Sequence, residues 1–514
     1  MSFKKKVLVL IIISAIVKLF IANCIELGND EVYYWTYALH LQMNYFDHPP
    51  LIALLIRITT LNLLFQQEFF LRFGAILCAA ISTWLSYCIG KKIKSERTGW
   101  YAALLYTSSI YTSIISGLFI MPDSPQVVFW LLSINAAFDI FTSDHPVTLR
   151  HWFYWGLLSG ICIMCKVHGI FLWAGFTLFM LLYNRKLFFS AGLYFSAFIT
   201  LVIIFPIFLW NLQNNFITWH YHSSRVQVNS LHINVDSFIQ AITGQIAYNN
   251  PLNVLLILFS LKYYSKRKPS SNNYINIIIL FGAPIIITVT ILSLFNNVLP
   301  HWSGPGFMTL QFLAAAYIDD TTVSHTPNAL MAKYAVYLIC TVAIVGFICI
   351  NYYPGTLGSK KYSHLGEGDF TLDMYGWESV GADFLVWIKN EDAQNKLPSN
   401  KTIVCNNWFP AAHIDYYIAR PAGMHVLGVG NINDLHHYYW LNKYSPALLK
   451  GDSALCIIPS NYSDHELDKY LQYFNNATLI KCFSGNRAKH LVRYFNVFLL
   501  CGYKANDELI QKIN

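Results

Sequence analysis

The sequence predicts a polytopic α-helical membrane protein of about eleven spans that ends in a water-soluble α/β domain. Three observations support this. The 514 residues are 55% apolar and only 12% charged, against about a quarter charged in an ordinary soluble chain. Apolar runs at 7–27, 73–90, 187–210, 275–295 and 334–350 match the roughly 20 residues that cross a hydrocarbon core. Beyond Tyr353 the composition turns polar, rich in Asp, Lys, Asn and His.

The formal charge of +8 would suit nucleic acid, but its distribution argues against that partner. The positive residues cluster in short loops: Lys4-Lys5-Lys6, then Lys91, Lys92, Lys94 and Arg97, then Arg185-Lys186, then Lys262, Lys266, Arg267 and Lys268. Such clusters mark the cytoplasmic ends of spans. With Lys4–Lys6 inside, run 7–27 is a retained first span, because it is long and lacks a small-x-small cleavage site. It delivers Asp30-Glu31 to the outer face. Leu51–Phe65 is apolar around Arg57, but counting it as a span would put Lys91–Arg97 outside, so parity makes it an interfacial helix. The outer-face helices thus run over about 29–70.

Span 73–90 returns to Lys91–Arg97. Spans 99–119 and 125–141 bracket an outer turn at Met121-Pro122-Asp123-Ser124-Pro125, and spans 152–165 and 169–183 bracket an outer Lys166-Val167-His168. Run 187–210 leads out to a polar loop at 211–235, and 252–264 comes back to the basic cluster at 262–268. Run 275–295 exits to Leu299-Pro300-His301-Trp302, 304–318 returns, and 334–350 exits last. The membrane domain is therefore 1–353 and the outer α/β domain 354–514. In the latter, β-type runs at Thr402–Cys405, Ala454–Pro459, Leu479–Phe483 and Val497–Cys501 alternate with helical stretches at 377–391 and 464–474. Of eleven cysteines, seven lie in apolar spans and act as small hydrophobes. Cys162-x-x-Cys165 lacks the second ligand pair of a zinc site. The C-terminal region allows a Cys482–Cys501 bridge.

The outer face gathers ionisable groups. In a helix over 29–41, Asn29 is the N-cap and Asp30 and Glu31 sit in the first turn, where the helix dipole favours carboxylates. Asp30, Tyr33, Tyr34 and Tyr37 share one face, and Val32, Trp35, Leu39 and Met43 form a lipid-facing one. Asp47 can cap the next helix, which Pro49-Pro50 enters. Acids at a membrane face mark a functional site by default. Asp123 lies in a short outer turn, and Lys166 stands where charge bias disfavours it, which suits an anion ligand. Arg57, Arg72 and Arg225 are further outer cations whose plainer role is snorkelling. His48, His168 and His301 suit phosphate or metal, with interfacial packing as the plainer role. Cations suit a lipid-borne phosphate, and a carboxylate beside them suits activation of an acceptor.

The stretch Asp30-Glu31-x-Tyr33-Tyr34-Trp35, followed by Tyr45-Phe46-Asp47-His48-Pro49-Pro50-Leu51-Ile52-Ala53, resembles the first outer loop of bacterial membrane glycosyltransferases related to protein O-mannosyltransferases. The same superfamily holds the lipid A aminoarabinose transferase. The likeness continues through Phe70-Leu71-Arg72, Met121–Pro125, Lys166 and Leu299–Pro305, covering roughly residues 1–320; Asp373-Met374-Tyr375-Gly376-Trp377 looks like the start of the outer domain of close relatives. The resemblance implies a GT-C fold, a polyprenyl-phosphate-sugar donor and inversion at the anomeric carbon. It places Asp30 at the family's catalytic acid with Glu31 beside it, Asp123 at the acid of the second outer loop, and Lys166 at a basic donor-side position. His48 stands where some relatives have lysine near the lipid phosphate.

The expected chemistry is a single displacement with Asp30, Glu31 and Asp123 as catalytic acids. His48, Arg72 and Lys166 would hold the donor phosphate, and Tyr33, Tyr34 and His301 would contact substrate. The acceptor is a glycan, lipid or protein, and the location a bacterial cytoplasmic membrane with the last domain outside. No metal site is assigned, although shared acids and histidines leave a divalent ion open. The rival readings are an oligosaccharide ligase or en bloc protein glycosyltransferase, and a polytopic lipid or sugar transporter. The near absence of mid-span charge, Lys18 excepted, disfavours transport.

Overall fold

The computed structural model describes residues 1–227, 233–266, 273–321, 327–392, 401–462 and 466–505. Arg267, Lys268 and the beginning of the 464–474 stretch lie outside the described residues. The chain divides into two compact units, Met1–Phe20 with Leu41–Ala343, and Ile21–His40 with Ile344–Asn514.

Among the described residues, fifteen α-helices occupy the first two thirds of the chain. They are α1 (Phe3–Cys24), α2 (Asn29–Leu39), α3 (Leu51–Thr59), α4 (Glu68–Ile93), α5 (Glu96–Ser108), α6 (Asp123–Phe141), α7 (Leu149–Cys165) and α8 (Ile170–Tyr183). Then come α9 (Ala191–Gln213), α10 (Ile217–Val226), α11 (Val235–Tyr248), α12 (Pro251–Ser265), α13 (Asn273–Leu292), α14 (Gly304–Thr321) and α15 (Pro327–Tyr352). Among the described residues six are long and apolar enough to cross a membrane: α1, α4, α6, α9, α13 and α15. The chain is thus a polytopic α-helical membrane protein, but the expected count of about eleven is corrected to six by length and composition.

The other five expected spans fall on α5, α7, α8, α12 and α14, which have 13, 17, 14, 15 and 18 residues. The reason is local at α5. The run expected over 99–119 stops at Ser108, and Ser109 is extended. Thr112 and Ser113 hydroxyls then take the Tyr106 and Thr107 carbonyls, and the Asn250 amide takes that of Ser108. Polar side chains there offer the backbone an alternative to continued helix. A π-helical turn, Tyr111–Ile115, follows.

The apolar core of this unit is built from α5, α6, α7, α8, α12, α13 and α14, with Trp130, Trp155, Phe176 and Phe281 at its centre. At the basic end, Asp319 of α14 accepts from Ser95, Arg97 and Thr98, and Lys94 pairs with Asp320 at 2.5 Å. Leu51–Phe65 forms only the nine residues of α3, too short to span.

The second unit carries a five-stranded sheet in the order β2-β1-β3-β5-β4. Its strands are β1 (Thr402–Cys405), β2 (His425–Gly428), β3 (Ala454–Pro459), β4 (Phe474–Arg487) and β5 (His490–Tyr503). The first three are parallel, and β5 and β4 add antiparallel. Four strands were expected; β2 was not, because four residues closed by Gly428 show no readable period. The Cys482–Cys501 pairing is overturned by register: Cys482 faces Asn496, Cys501 faces Asn476, and both thiols are free. Arg487, fully buried, ties the strands to the end of α15 by donating to the Tyr353 and Gly355 carbonyls and to Asp369.

Candidate functional site

The candidate residues fall into both units. In the first unit, Asp123 opens α6 and Lys166 ends α7 as its C-cap residue. A carboxylate at a helix N-terminus and an ammonium at a C-terminus are each favoured by the dipole they meet. Their side chains form a buried ion pair, Lys166 Nζ to Asp123 Oδ2 at 2.7 Å, with exposures of 4% and 1%. The Tyr111 hydroxyl donates to the other Asp123 oxygen at 3.0 Å. Tyr111 in turn packs on the start of α14, where a Cβ at Gly304 would lie 2.5 Å from the ring, so only glycine admits it.

Four imidazoles surround the pair. His48, His168 and His301 all lie within electrostatic reach of Lys166 and Asp123. His222 stands 6.3 Å from His48 between ring centroids. The His222 Nε2–H donates to the Asp47 carbonyl at 2.7 Å, which fixes its tautomer. Burial, reinforced by Lys166, holds His48 and His301 down to about 4, so both are neutral at neutral pH. Trp302 is flanked by His168 at 5.7 Å and by the Arg225 guanidinium at 5.2 Å. The buried Nδ1 of His168 has no hydrogen-bond partner among the described residues. Arg72 is fully buried, its guanidinium 5.6 Å from the ring of Phe119 in the turn before Asp123. The arrangement sets neutral imidazoles around a buried ion pair, with the Arg225 and Arg72 guanidinium groups in the same unit, which suits a phosphate.

Asp47 does not cap α3: the N-cap is Pro50, and no side chain bonds there. Tyr111 and His222 carried no sequence signal, since neither belongs to a motif or a charged cluster.

In the second unit, the cap of α2 lies one residue earlier than expected, so that Asn29 is the first helical residue. Gly28 is the N-cap, and the buried Glu31 carboxylate accepts its N–H at 2.9 Å. Asp30, beside it, is exposed. The expected lipid-facing side of this helix is corrected, because Val32 and Trp35 are as buried as Tyr33 and Tyr34. Tyr33 packs against Trp408 at 4.8 Å and its hydroxyl meets that of Tyr37 at 3.3 Å. Trp35 packs edge-on against Tyr416.

The segment entering α2 is held by the motif at 373–377. Asn29 Nδ2 and the Tyr462 hydroxyl donate to the two Asp373 oxygens at 3.0 and 2.7 Å. The His413 Nε2–H is shared between the Leu27 and Asp373 carbonyls. Glu26 accepts from the Trp377 and Glu378 N–H groups at 2.8 and 3.1 Å. Burial pushes the Glu26 carboxyl up to about 7 from 4.5, although those two N–H donors pull it down. A carboxyl raised in the fold keeps a proton that the unfolded chain releases, so stability falls as pH rises from about 4.5 through about 7. Glu26→Gln should flatten that slope in thermal unfolding across this range; an unaltered slope would assign the titration to another group.

Among the described residues no three of His, Cys, Asp and Glu are grouped to hold a metal ion.

Residues 47–210 match the family model of dolichyl-phosphate-mannose-protein mannosyltransferases. The lipid A galacturonosyltransferase RgtD of Rhizobium johnstonii is 21% identical over 286 residues, 55% of this chain. The chain spans 59% of the length of that curated relative. Among solved structures, ArnT of Cupriavidus metallidurans bound to undecaprenyl phosphate superposes with a TM-score of 0.58 at 14% identity, over 96% of this chain and 97% of that one. The archaeal oligosaccharyltransferase AglB of Archaeoglobus fulgidus, in complex with an inhibitory peptide and a dolichol-phosphate, gives 0.50 at 11% identity, over 81% and 64%. With six long apolar helices among the described residues, a β-rich C-terminal domain and this likeness along almost its whole length, the chain has the fold of the membrane protein ArnT.

Proposed function

We propose that the protein is a glycosyltransferase that moves a sugar from a polyprenyl-phosphate carrier to an acceptor outside the cytoplasm, inverting the anomeric carbon. The observation that supports this most is the buried Asp123–Lys166 pair ringed by imidazoles. It joins a residue of the second outer turn to one that charge bias would keep off the outer face. The likeness to an ArnT bound to undecaprenyl phosphate supports a polyprenyl-phosphate donor.

In the reaction, the carboxylate of Asp30 takes the proton of the acceptor hydroxyl or amine. The acceptor atom bonds to C1 as the C1–O bond to phosphate breaks. The bond pair leaves with the polyprenyl phosphate, whose charge is met by Lys166, Arg72 and Arg225. His48 and His301 are uncharged and contribute hydrogen bonds. A phosphodiester leaves readily, so no strong general acid is required. Glu31 serves α2 as its cap, and Tyr33 and Tyr34 support the same helix from within its aromatic packing. The domain from about 354 onward lies outside the cytoplasm, and the membrane is a bacterial inner membrane.

Mass spectrometry of glycolipids and glycoproteins from cells with and without the gene tests the reading. One sugar missing from one acceptor class is the expected result. Loss of a whole oligosaccharide would favour en bloc transfer, and accumulation of an unmoved lipid-linked sugar with no acceptor change would indicate transport.

A further inference from the structure

The α/β unit holds a cavity that the transfer chemistry does not use. Its volume is about 470 Å³, and His40, Asp415, Arg420, His425, Tyr438 and Tyr444 are among its walls. Arg420 organises it. Its Nε–H donates to the buried Asp415 carboxylate at 3.1 Å, and its guanidinium lies 5.0 Å from the ring centroid of buried Trp35. The Tyr438 hydroxyl holds the second Asp415 oxygen at 3.2 Å. One anchor in the plane and one on the face leave the guanidinium little rotational freedom.

The two terminal nitrogens of Arg420 have no hydrogen-bond partner among the described residues, and the side chain is 47% exposed. That free edge is the fork that takes a carboxylate or phosphate through two parallel N–H···O bonds. More positive charge stands nearby. The His40 ring stacks on Tyr444 at 3.4 Å, and the Lys443 ammonium lies 4.7 Å from the same Tyr444 ring. Asp415 balances Arg420, so Lys443 leaves the neighbourhood positive.

We propose that this cavity binds an anionic group, phosphate or carboxylate, carried by a sugar acceptor, with Arg420 as its bidentate ligand. The ligand's identity as the acceptor rests on the transferase reading; the anion site stands without it. Trp35 and His40 belong to the segment that carries Asp30, and ten helical residues advance about 15 Å. An acceptor engaging both ends of α2 is therefore a charged oligosaccharide or glycolipid rather than a single sugar.

Saturation-transfer NMR on the full-length protein in detergent, with glucose 6-phosphate and glucose as probes, tests the site. Glucose 6-phosphate is expected to receive saturation and glucose not. R420Q should weaken the binding by about tenfold or more, the loss expected for a charge-assisted bidentate pair. H425A, at an exposed wall residue, should weaken it with no change in melting temperature. The double variant D123N/K166M, which removes the other anion site, should leave it intact. Unchanged affinity in R420Q, or loss in the double variant with retention in R420Q, would overturn the proposal. If R420Q does not fold, unchanged affinity in H425A does so. D30N should keep this binding while losing transfer, so D30N that still transfers sugar sinks the transferase assignment and leaves the anion site standing.

Discussion

Replacing Lys166 with methionine is expected to lower the stability of the membrane-embedded unit by about 3–5 kcal/mol and to abolish transfer. Methionine keeps the volume of the lysine stem but leaves Asp123 charged, 1% exposed and, among the described side chains, hydrogen-bonded by the Tyr111 hydroxyl alone. An uncompensated buried carboxylate is far costlier than a missing pair. The double variant Asp123→Asn/Lys166→Met should therefore recover most of the lost stability, because a neutral amide still accepts from Tyr111. It should recover no activity, since the donor phosphate has lost the lysine of its three cations. Thermal unfolding of both variants in detergent measures the difference. Equal losses in the single and double variants would mean that the pair is screened by water and that its burial is not what holds α6 to α7.

Asp30→Asn is expected to reduce the rate of transfer by about 10²–10⁴-fold with donor KM and melting temperature unchanged. The amide cannot take a proton from the acceptor, while Asp30 is exposed and the cap of α2 belongs to Glu31 and Gly28. Glu31→Ala should do the opposite, costing about 0.5–2 kcal/mol of stability through the lost N–H acceptor. Steady-state kinetics with a short-chain polyprenyl-phosphate sugar separate the two. An Asp30→Asn enzyme retaining more than about a tenth of the rate would remove it as the base.

Much of this was legible residue by residue. Span α1 and the long helices α4, α6, α9, α13 and α15 follow from hydropathy summed over adjacent residues. Strands β1, β3, β4 and β5 follow from β-branched and aromatic runs. Lys166 could be singled out because a lysine in an outer turn contradicts the charge asymmetry of the rest of the chain. The eleven-span count failed at α5 because hydropathy does not register that Thr112, Ser113 and Asn250 divert the backbone carbonyls near Ser108. The lipid-facing side of α2 failed for a similar reason. Helical periodicity reports which residues share a face but not how many faces are covered, and Trp35 is covered by Tyr416 and Arg420, nearly four hundred positions away.

By itself, then, the sequence determined that the chain crosses a membrane, that it ends in a polar α/β domain, and that Asp30, Asp123 and Lys166 deserved scrutiny. Those properties depend on transfer energies and charge asymmetry, which sum over neighbours along the chain. Only the tertiary structure decided that Lys166 neutralises Asp123 across 43 positions, that His48, His222 and His301 join them, and that Asp373 holds Asn29 across 344. Such pairings are fixed by how helices and strands pack, and a hydrogen bond between distant positions leaves no trace in the local pattern of either.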